Sequence, residues 1–221
     1  MKSGLPKRIQ MNADMAEKYA SGERRIIDVG ADHGLLSIHL LKKGAFDQAL
    51  LTDINEGPAS RARQAIEDNL LTDKADVVVT DGLNGIAMKN GDVIVIAGMG
   101  GLNVRDIIDH FEEENGGARE DITFVLQPQK SLPQLREWLA DKGYKIVDEE
   151  CCEETGFYYC VLCVKYIGER VLLTDREIYY GPVMLTKFDE RKDYKEFLDR
   201  VFELRARSDA RLRGVLEGLN G

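Results

Sequence analysis

The stretch Ile26-Ile27-Asp28-Val29-Gly30-Ala31-Asp32-His33-Gly34 determines the fold predicted for this chain. Its apolar, β-branched beginning predicts a buried strand, and its glycines permit a tight turn. Apolar residues resume at helical spacing over residues 35–41, so a helix is expected directly after the turn. A turn of this kind aims backbone N–H groups and the positive end of a helix dipole at whatever lies beyond the strand. The stretch therefore predicts a site for a nucleotide-like ligand.

The composition predicts a globular protein. The chain has 221 residues, of which 43% are apolar, enough for one domain of ordinary size with an appendage. No apolar run is long enough to span a bilayer, and the N-terminal residues lack the apolar block of a signal peptide, so we expect a cytoplasmic protein without membrane contact. The net charge of −9 is concentrated in residues 26–164, which carry 12 basic and 25 acidic residues. The two ends of the chain are therefore the better places for contact with nucleic acid phosphates, unless their charges simply face solvent.

The cysteine spacing argues against a metal site. Cys160 and Cys163 form a C-x-x-C pattern, but they lie in an apolar run, residues 157–164, that predicts a strand. Residues three apart in a strand face opposite sides, so the two thiols would not converge on one ion. We therefore predict no metal ion in this protein.

Acids or glycines follow four successive predicted strands. The strands are expected at residues 26–29, 49–53, 76–80 and 92–97, and their nearly continuous apolar runs indicate a parallel sheet covered by helices on both faces. Ligands of such sheets bind beyond the carboxyl ends of the strands. Asp53 ends the second strand, roughly 20 residues after the glycine turn, where an acid can accept hydrogen bonds from ribose hydroxyls. Its alternative role is to cap the helix predicted over residues 58–70.

The second half of the chain predicts one more parallel strand and then an antiparallel pair. A fifth strand at residues 122–126 ends in Gln127-Pro128-Gln129. The turn between strands at 144–149 and 157–166 is too short for a helical crossover, so these two strands should be antiparallel. Further helices are expected at residues 7–20, 102–110 and 133–142.

Residues 189–219 predict a helical hairpin or a short coiled coil. Their apolar residues alternate at spacings of four and three, with an interruption at Arg205 and Ser208, and residues 172–180 would supply a partner helix. Arg200, Arg207 and Arg211 would share one helix face, which either contacts phosphates or keeps the surface soluble. The same helix could instead serve as an arm for oligomerisation, and the sequence leaves monomer and weak dimer open.

Five motifs together resemble those of the bacterial tRNA (adenine(22)-N1)-methyltransferase family, TrmK. They are Asp28-Val29-Gly30-Ala31-Asp32-His33-Gly34, Thr52-Asp53-Ile54-Asn55, Asp81-Gly82-Leu83, Ala97-Gly98-Met99-Gly100-Gly101 and Leu126-Gln127-Pro128-Gln129. The resemblance implies a Rossmann-like class I methyltransferase fold, in which a seven-stranded, mostly parallel α/β sheet ends in an antiparallel strand. It implies a methyltransferase domain at residues 1–166 and a small helical, coiled-coil-like C-terminal domain at residues 167–221. The implied activity is methylation of N1 of adenine 22, in the D-arm region of tRNA, with S-adenosyl-L-methionine as cofactor.

The resemblance also assigns residues to this cofactor. Gly30 and Gly34 would let the backbone close on its methionine part, with Asp28 and His33 near the amino or carboxylate end. Asp53 would hold the ribose diol. The full set of implied cofactor-binding residues is Asp28, Gly30, His33, Gly34, Asp53, Ile54, Asp81, Gly82, Leu83, Ala97, Gly98, Met99 and Gly100, of which Asp81 would bind the adenine amino group and Leu83 would pack on the adenine ring. One departure from the family's pattern is Leu35, where an aromatic residue is expected.

The implied reaction requires alignment of N1 with the methyl–sulfur axis and removal of a proton from the adenine amino group. Asp32 and His33 are the candidate catalytic residues for that proton, although Asp32 could instead cap the following helix. The candidate RNA-binding residues are Lys7, Arg8, Arg200, Arg207 and Arg211.

Two other functions remain compatible with the sequence. The glycine turn and Asp53 would also suit a nicotinamide-dependent oxidoreductase, but Asp32 stands where a dinucleotide fingerprint has its middle glycine. The second is a methyltransferase that acts on another substrate.

Overall fold

The computed structural model describes residues 4–218 and contains one seven-stranded sheet. The strands are β1 (Arg25–Val29), β2 (Gln48–Asp53), β3 (Ala75–Val79), β4 (Val93–Gly100), β5 (Thr123–Lys130), β6 (Tyr144–Glu154) and β7 (Phe157–Tyr166). Their order in the sheet is β3-β2-β1-β4-β5-β7-β6, and every pair is parallel except the two that involve β7. The predicted class I methyltransferase topology is confirmed. The antiparallel strand β7 is inserted between β5 and β6, so β6 forms the edge of the sheet.

Helices cover both faces of this sheet, as the nearly continuous apolar strands predict. The helices within residues 4–218 are α1 (Lys7–Lys18), α2 (Leu35–Lys43), α3 (Glu56–Asp68), α4 (Gly101–Asn115), α5 (Leu132–Lys142), α6 (Asp175–Tyr180), α7 (Met184–Lys187), α8 (Lys192–Arg205) and α9 (Ala210–Leu216). One core cluster joins α1, α2 and α3 to residues such as Ile26 and Val95, and a second joins α4 and α5 to Ile27 and Ile94. Neighbouring strand residues thus point into different layers. None of these helices is long and apolar enough to cross a membrane.

Helix α4 and strands β4, β5 and β6 all extend beyond the ranges that the sequence pattern predicts, and packing explains the first. Helix α4 continues past His110 to Asn115 because Phe111 is buried against Phe124, with ring centroids 5.8 Å apart in an edge-to-face arrangement. Strand β4 extends to Gly100 with an irregular register around Met99. The glycine-rich segment after the apolar run is therefore part of the strand and is held by β5.

The C-terminal helices form the predicted helical hairpin, but it packs on the sheet domain. Helix α8 ends at Arg205 and α9 begins at Ala210, so the chain breaks near the interruption in the apolar pattern. The apolar seam, including Leu198 and Leu212, joins a third core cluster with Tyr180 of α6 and Cys160 of β7. The C-terminal region therefore shares its core with the sheet domain, and among the described residues the short helix α6, within the predicted partner segment 172–180, packs against it. Leu219, the last residue of the predicted seam, lies outside the described residues.

A buried ion pair links this region to the sheet. The Arg136 guanidinium of α5 donates to Oε1 of Glu149 in β6 at 2.9 Å, and the two side chains are 1% and 0% exposed. Arg136 also donates to the carbonyl oxygens of Ile178 and Tyr179, and Glu149 accepts from the backbone N–H groups of residues 183 and 184. One ion pair thereby holds the end of α6 and the beginning of α7, and removing either partner would leave the other buried and unpaired.

The two cysteines of the C-x-x-C pattern face different layers, as predicted from their position in a strand. Cys163 belongs to the core cluster under α1, whereas Cys160 belongs to the cluster under the C-terminal helices. Burial raises the pKa of the Cys163 thiol to about 12, so this side chain behaves as a small apolar group at neutral pH.

Candidate functional site

A cavity of about 670 Å³ lies at the carboxyl ends of β1, β2 and β4, where the sequence predicts a ligand. Loops after β1, β2 and β3 form one side, and α4 forms the other. We call it the larger cavity. Its lining residues are Val29, Gly30, Thr52, Asp53, Ile54, Asp81, Gly82, Asn84, Ala97, Gly98, Met99, Asn103, Asp106, Ile107 and His110. Its walls therefore carry three carboxylates beside apolar surface, the arrangement that suits a nucleoside with free hydroxyl and amino groups.

Gly30, the first residue of the glycine turn, lines this cavity, but three N–H groups of the turn are already used. The N–H groups of Gly30 and Ala31 donate to the carbonyl oxygen of Thr52 at 2.8 and 3.2 Å, and that of Gly34 donates to Ala31. The expectation that the turn's N–H groups point at a ligand is therefore wrong for these three. Glycine is still favoured at position 30, because φ is +71°, a conformation that other residues rarely adopt. The terminal methyl group of Met99 lies where a side chain at this position would begin.

Asp53 has the geometry of a ribose ligand. Its Oδ1 accepts from the Asn55 N–H at 2.9 Å, and its Oδ2 accepts no hydrogen bond from the described residues. The alternative that Asp53 caps the next helix is wrong, since Asn55 is the N-cap residue of α3. The exposed side chain of Ile54 stands next to it on the cavity wall. One carboxylate oxygen is thus fixed by the chain, and the other is available to a hydroxyl group.

The loop after β3 brings Asp81, Gly82 and Asn84 to the same cavity. The Thr52 hydroxyl donates to the Gly82 carbonyl oxygen at 2.9 Å and so ties this loop to the end of β2. Leu83 does not reach the cavity: it is 2% exposed and lies in the core cluster under α4. The expectation that Leu83 packs on a bound adenine ring is therefore wrong, because its neighbours in the loop occupy the wall.

A second cavity of about 370 Å³ opens under α1, on the other side of the glycine turn. We call it the α1 cavity. Its lining residues are Pro6, Arg8, Ile9, Asn12, Asp28, Val29, Gly30, Ala31, Asp32, His33, Leu35, Leu36, Ala97, Gly98 and Gln129. It shares Val29, Gly30, Ala97 and Gly98 with the larger cavity. The two cavities therefore meet at the carboxyl ends of β1 and β4.

Asp28 is the buried carboxylate of the α1 cavity. It is 6% exposed, and its Oδ2 accepts a hydrogen bond from the Ser37 hydroxyl at 2.8 Å. Burial raises its pKa to about 6, although the hydrogen bonds from Ser37 act in the opposite direction. No cation among the described residues pairs with it. A ligand that brings a positive charge to this point would therefore gain a strong partner.

Asp32 and His33 both line the α1 cavity, and both are about half exposed. Asp32 adopts a left-handed φ of +46°, and its Oδ1 accepts from the Arg61 guanidinium at 2.6 Å. It does not cap α2, whose N-cap residue is Gly34, so that alternative is wrong. The Nε2 of His33 lies 3.6 Å from Oδ2 of Asp32. Both candidate catalytic residues thus stand at the α1 cavity.

Two glycines predicted to bind the cofactor serve the packing of the chain. A Cβ on Gly34 would lie 2.8 Å from Cδ2 of Leu51, and a Cβ on Gly100 would lie 2.9 Å from Cε of Lys130. Neither residue lines either cavity. Of the other predicted cofactor residues, His33 and Asp28 line the α1 cavity, and Met99 lines the larger one.

The predicted RNA-binding arginines do not share one helix face. Arg200 lies in α8, Arg207 in the break and Arg211 in α9. The Arg211 guanidinium is paired with Glu137, at 2.8 Å, and with Asp175, so it is committed to the fold. Arg200 and Arg207 are exposed and pair with no acid of the described chain.

At the other end of the chain, the predicted RNA-binding residues Lys7 and Arg8 begin α1. The Lys7 side chain donates to the Glu153 carbonyl oxygen at 3.2 Å. Arg8 lies 3.4 Å from Glu154, sits over the Tyr159 ring and also lines the α1 cavity. Arg8 is therefore the predicted RNA ligand that stands nearest to the candidate site.

Several polar residues of the two cavities were not predicted from the sequence. Asn103, Asp106 and His110 line the larger cavity from α4, and their spacing of three and four residues is the pattern of one helix face. That pattern is readable in the sequence once the helix is known to face a site. Asn12 lines the α1 cavity from α1 without a local signal in the sequence, whereas Gln129 lines it from β5 and belongs to the motif that ends this strand, although no site role is predicted for it.

The fold and the two adjoining cavities are those of a class I methyltransferase. In agreement, the family model described as "Methyltransferase domain" matches residues 5–162, and the chain belongs to this family. More particularly, it belongs to the tRNA (adenine(22)-N1)-methyltransferase family, which confirms the resemblance in the sequence motifs.

Three relatives document this relationship. The tRNA (adenine(22)-N(1))-methyltransferase of Bacillus subtilis is 31% identical over 166 residues, which cover 75% of this chain and 66% of that protein. A Mycoplasma pneumoniae protein provisionally named a tRNA methyltransferase is 30% identical over 167 residues, or 74% of each chain. A Streptococcus pneumoniae protein provisionally named a tRNA (m1A22) methyltransferase was solved with S-adenosyl-L-methionine bound; it is 27% identical, superimposes with a TM-score of 0.77, and the match covers 98% of this chain and all of that one.

Proposed function

We propose that this protein transfers a methyl group from S-adenosyl-L-methionine to N1 of an adenine in tRNA, at position 22 of the D-arm region. The observation that carries the proposal is the meeting of two cavities at Gly30 and Gly98. One cavity has the carboxylates that a nucleoside requires, and the other opens towards α1 and Arg8. The named activity of the B. subtilis relative supports adenine 22 as the target.

The residues present fit S-adenosyl-L-methionine. Asp53 has an available carboxylate oxygen for the ribose diol, and Asp81 stands on the same wall for the adenine amino group. Asp28 lies buried without a cationic partner, which suits the α-ammonium group of the methionine part. When bound, the cofactor supplies an electrophilic methyl group on a sulfonium centre.

The chain's own contribution to the reaction is alignment and exclusion of water. A target adenine must leave its stack to reach an enclosed site, and the α1 cavity is the space beside Ala97 and Gly98 where the ring can lie. N1 reacts through its lone pair, so the methylated ring is cationic and the N6 proton can leave afterwards to water. We therefore infer that Asp32 contributes negative potential on this wall as positive charge develops on the ring, although its Oδ1 also pairs with Arg61.

The tRNA itself would be held by basic residues around the α1 cavity and on the C-terminal helices. Arg8 lies at the cavity, and Arg200 and Arg207 are exposed without an acidic partner among the described residues. Binding that depends on phosphates weakens steeply with salt. A tRNA substrate is consistent with the cytoplasmic location that we predict.

The test is methyl transfer from labelled S-adenosyl-L-methionine to an unmodified tRNA transcript. We expect labelled 1-methyladenosine in the nuclease digest, and none from a transcript in which adenine 22 is replaced by guanine. Calorimetric titration with NAD tests the oxidoreductase alternative. Binding of NAD without binding of S-adenosyl-L-methionine would overturn the proposal, and methylation of the guanine-22 transcript would refute the assigned target.

A further inference from the structure

Two buried amide groups on the α1 face of the sheet lack a hydrogen-bond donor. Asn12 of α1 is 3% exposed and Gln127 of β5 is 0% exposed, and neither Oδ1 of Asn12 nor Oε1 of Gln127 has a partner within the described chain. Buried polar oxygens in proteins are rarely left unpaired, and each one costs stability. Asn12 lines the α1 cavity directly.

Gln127 lies on the same face. Side chains alternate along β5, and Val125 belongs to the core cluster under α1 while Gln129 lines the α1 cavity. Gln127 is therefore directed towards α1, and it pairs in the sheet with Ala97, one of the residues at which the two cavities meet. Asn12 thus borders the place where the methyl acceptor would lie, and Gln127 lies buried behind the wall of the α1 cavity without lining it.

We propose that Asn12, supported by Gln127, recognises the target base by accepting a hydrogen bond from its exocyclic amine. This inference rests on the proposed function. Adenine carries an amino group next to N1, whereas guanine carries an oxygen at that position, so an acceptor here favours adenine. Asn12 is a specificity-determining residue in this scheme, and it lies on a helix whose first residue is fixed to β6 by the Lys7 N–H to Glu154 hydrogen bond.

The chemistry of the two amides favours the base over the cofactor's ammonium group. The same amides could accept from an ammonium, but the buried carboxylate of Asp28 is the stronger partner for a full positive charge. A hydrogen bond to a neutral acceptor strengthens most when its donor becomes more acidic during the reaction. Methylation at N1 makes the N6–H groups more acidic, so this hydrogen bond strengthens towards the transition state.

The experiment is a double-mutant cycle that combines a substitution in the protein with a change of the target base in the RNA. Wild type and Asn12→Leu are assayed at saturating S-adenosyl-L-methionine on a tRNA with adenosine at the target position and on one with purine riboside, which lacks the amine. We expect Asn12→Leu to lower kcat/KM about 10-fold on adenosine and less than 2-fold on purine riboside. Equal losses on the two RNAs would overturn the assignment, because the side chain would then act without the amine.

Two further measurements separate the remaining explanations. If Asn12→Leu instead weakens S-adenosyl-L-methionine binding in calorimetry and has normal turnover at saturation, the amide serves the cofactor and the proposal fails. Asn12→Ala tests whether the result comes from the bulk of leucine, and Gln10→Ala is the matched control, an amide on the same helix that faces Asp14 outside the α1 cavity. Wild-type activity on the adenosine tRNA reports on the proposed function independently of every variant.

Discussion

Replacing Asp28 by asparagine is expected to stabilise the protein and to weaken its binding of S-adenosyl-L-methionine. Burial raises the pKa of Asp28 from its ordinary value of 3.8 to about 6. A shift of that size corresponds to about 3 kcal/mol of stability lost at pH 8, where the group must be charged in the folded state. Asparagine has the same shape and can still accept from the Ser37 hydroxyl. Because this pKa shift already includes the hydrogen bonds from Ser37, the gain in stability should approach about 3 kcal/mol at pH 8.

The pH dependence has a defined sign. Because the folded protein holds the Asp28 proton more tightly than the unfolded chain, the stability that this residue contributes is present at low pH and is lost as the pH rises through about 6. The advantage of Asp28→Asn should therefore grow with pH and become constant above about pH 7. Between pH 5 and pH 8 the growth should be about 1.4 kcal/mol.

Urea unfolding at pH 5 and pH 8 measures these values. Asp32→Asn is the matched control: it lies in the same turn but is half exposed, so it should not reproduce the pH-dependent gain. Calorimetry at pH 8 should show S-adenosyl-L-methionine binding weakened about 10- to 100-fold in Asp28→Asn, the usual loss for a hydrogen bond to a charged group. The reasoning is refuted if the variant is no more stable than wild type at pH 8, or if it binds the cofactor equally well.

Three other predictions follow from the site and the surface. Asp53→Ala should raise the dissociation constant of S-adenosyl-L-methionine about tenfold in calorimetry, because the ribose acceptor is lost; an unchanged constant would remove Asp53 from the site. Leu83→Ala should lower the free energy of unfolding by about 3 kcal/mol but change cofactor affinity less than twofold, since the side chain lies in the core. Unchanged stability together with a large loss of cofactor affinity would place this side chain against the ligand. Arg207→Ala should reduce the slope of log affinity for tRNA against log salt concentration by about one. Arg211→Ala should leave that slope unchanged, because Glu137 already holds the Arg211 guanidinium. Anisotropy titrations measure both slopes, and equal slopes for the two variants would contradict this distinction.

Most of the fold and the location of the site could be predicted because both depend on local patterns. Apolar runs that end in acids or glycines define the parallel strands and the edge at which their ends meet. Asp53 and Asp81 lie on the cavity wall for this reason. The short turn between β6 and β7 likewise specifies antiparallel pairing without knowledge of the rest of the chain.

The roles that could not be predicted depend on contacts between distant segments. Whether the N–H of Gly30 faces a ligand depends on Thr52, which reaches it only because β1 and β2 pair. Gly34 is required by the packing of Leu51, and Leu83 enters the core because its neighbours in the loop face outward. Motif residues next to one another in sequence thus lie alternately on the cavity wall and in the core, and only the fold separates the two groups.

The α1 face of the sheet combines three polar groups that the folded chain buries without a full set of partners. Asp28 lacks a cation, and Asn12 and Gln127 each have an oxygen without a donor within the described residues. Each of these groups lowers stability, so their concentration beside one pair of strand ends requires an explanation. A cationic amino acid moiety and a base with an exocyclic amine would together supply the missing charge and donors. These unpaired groups lie where we propose that cofactor and substrate bind, so binding of either one should return part of the stability that the site costs.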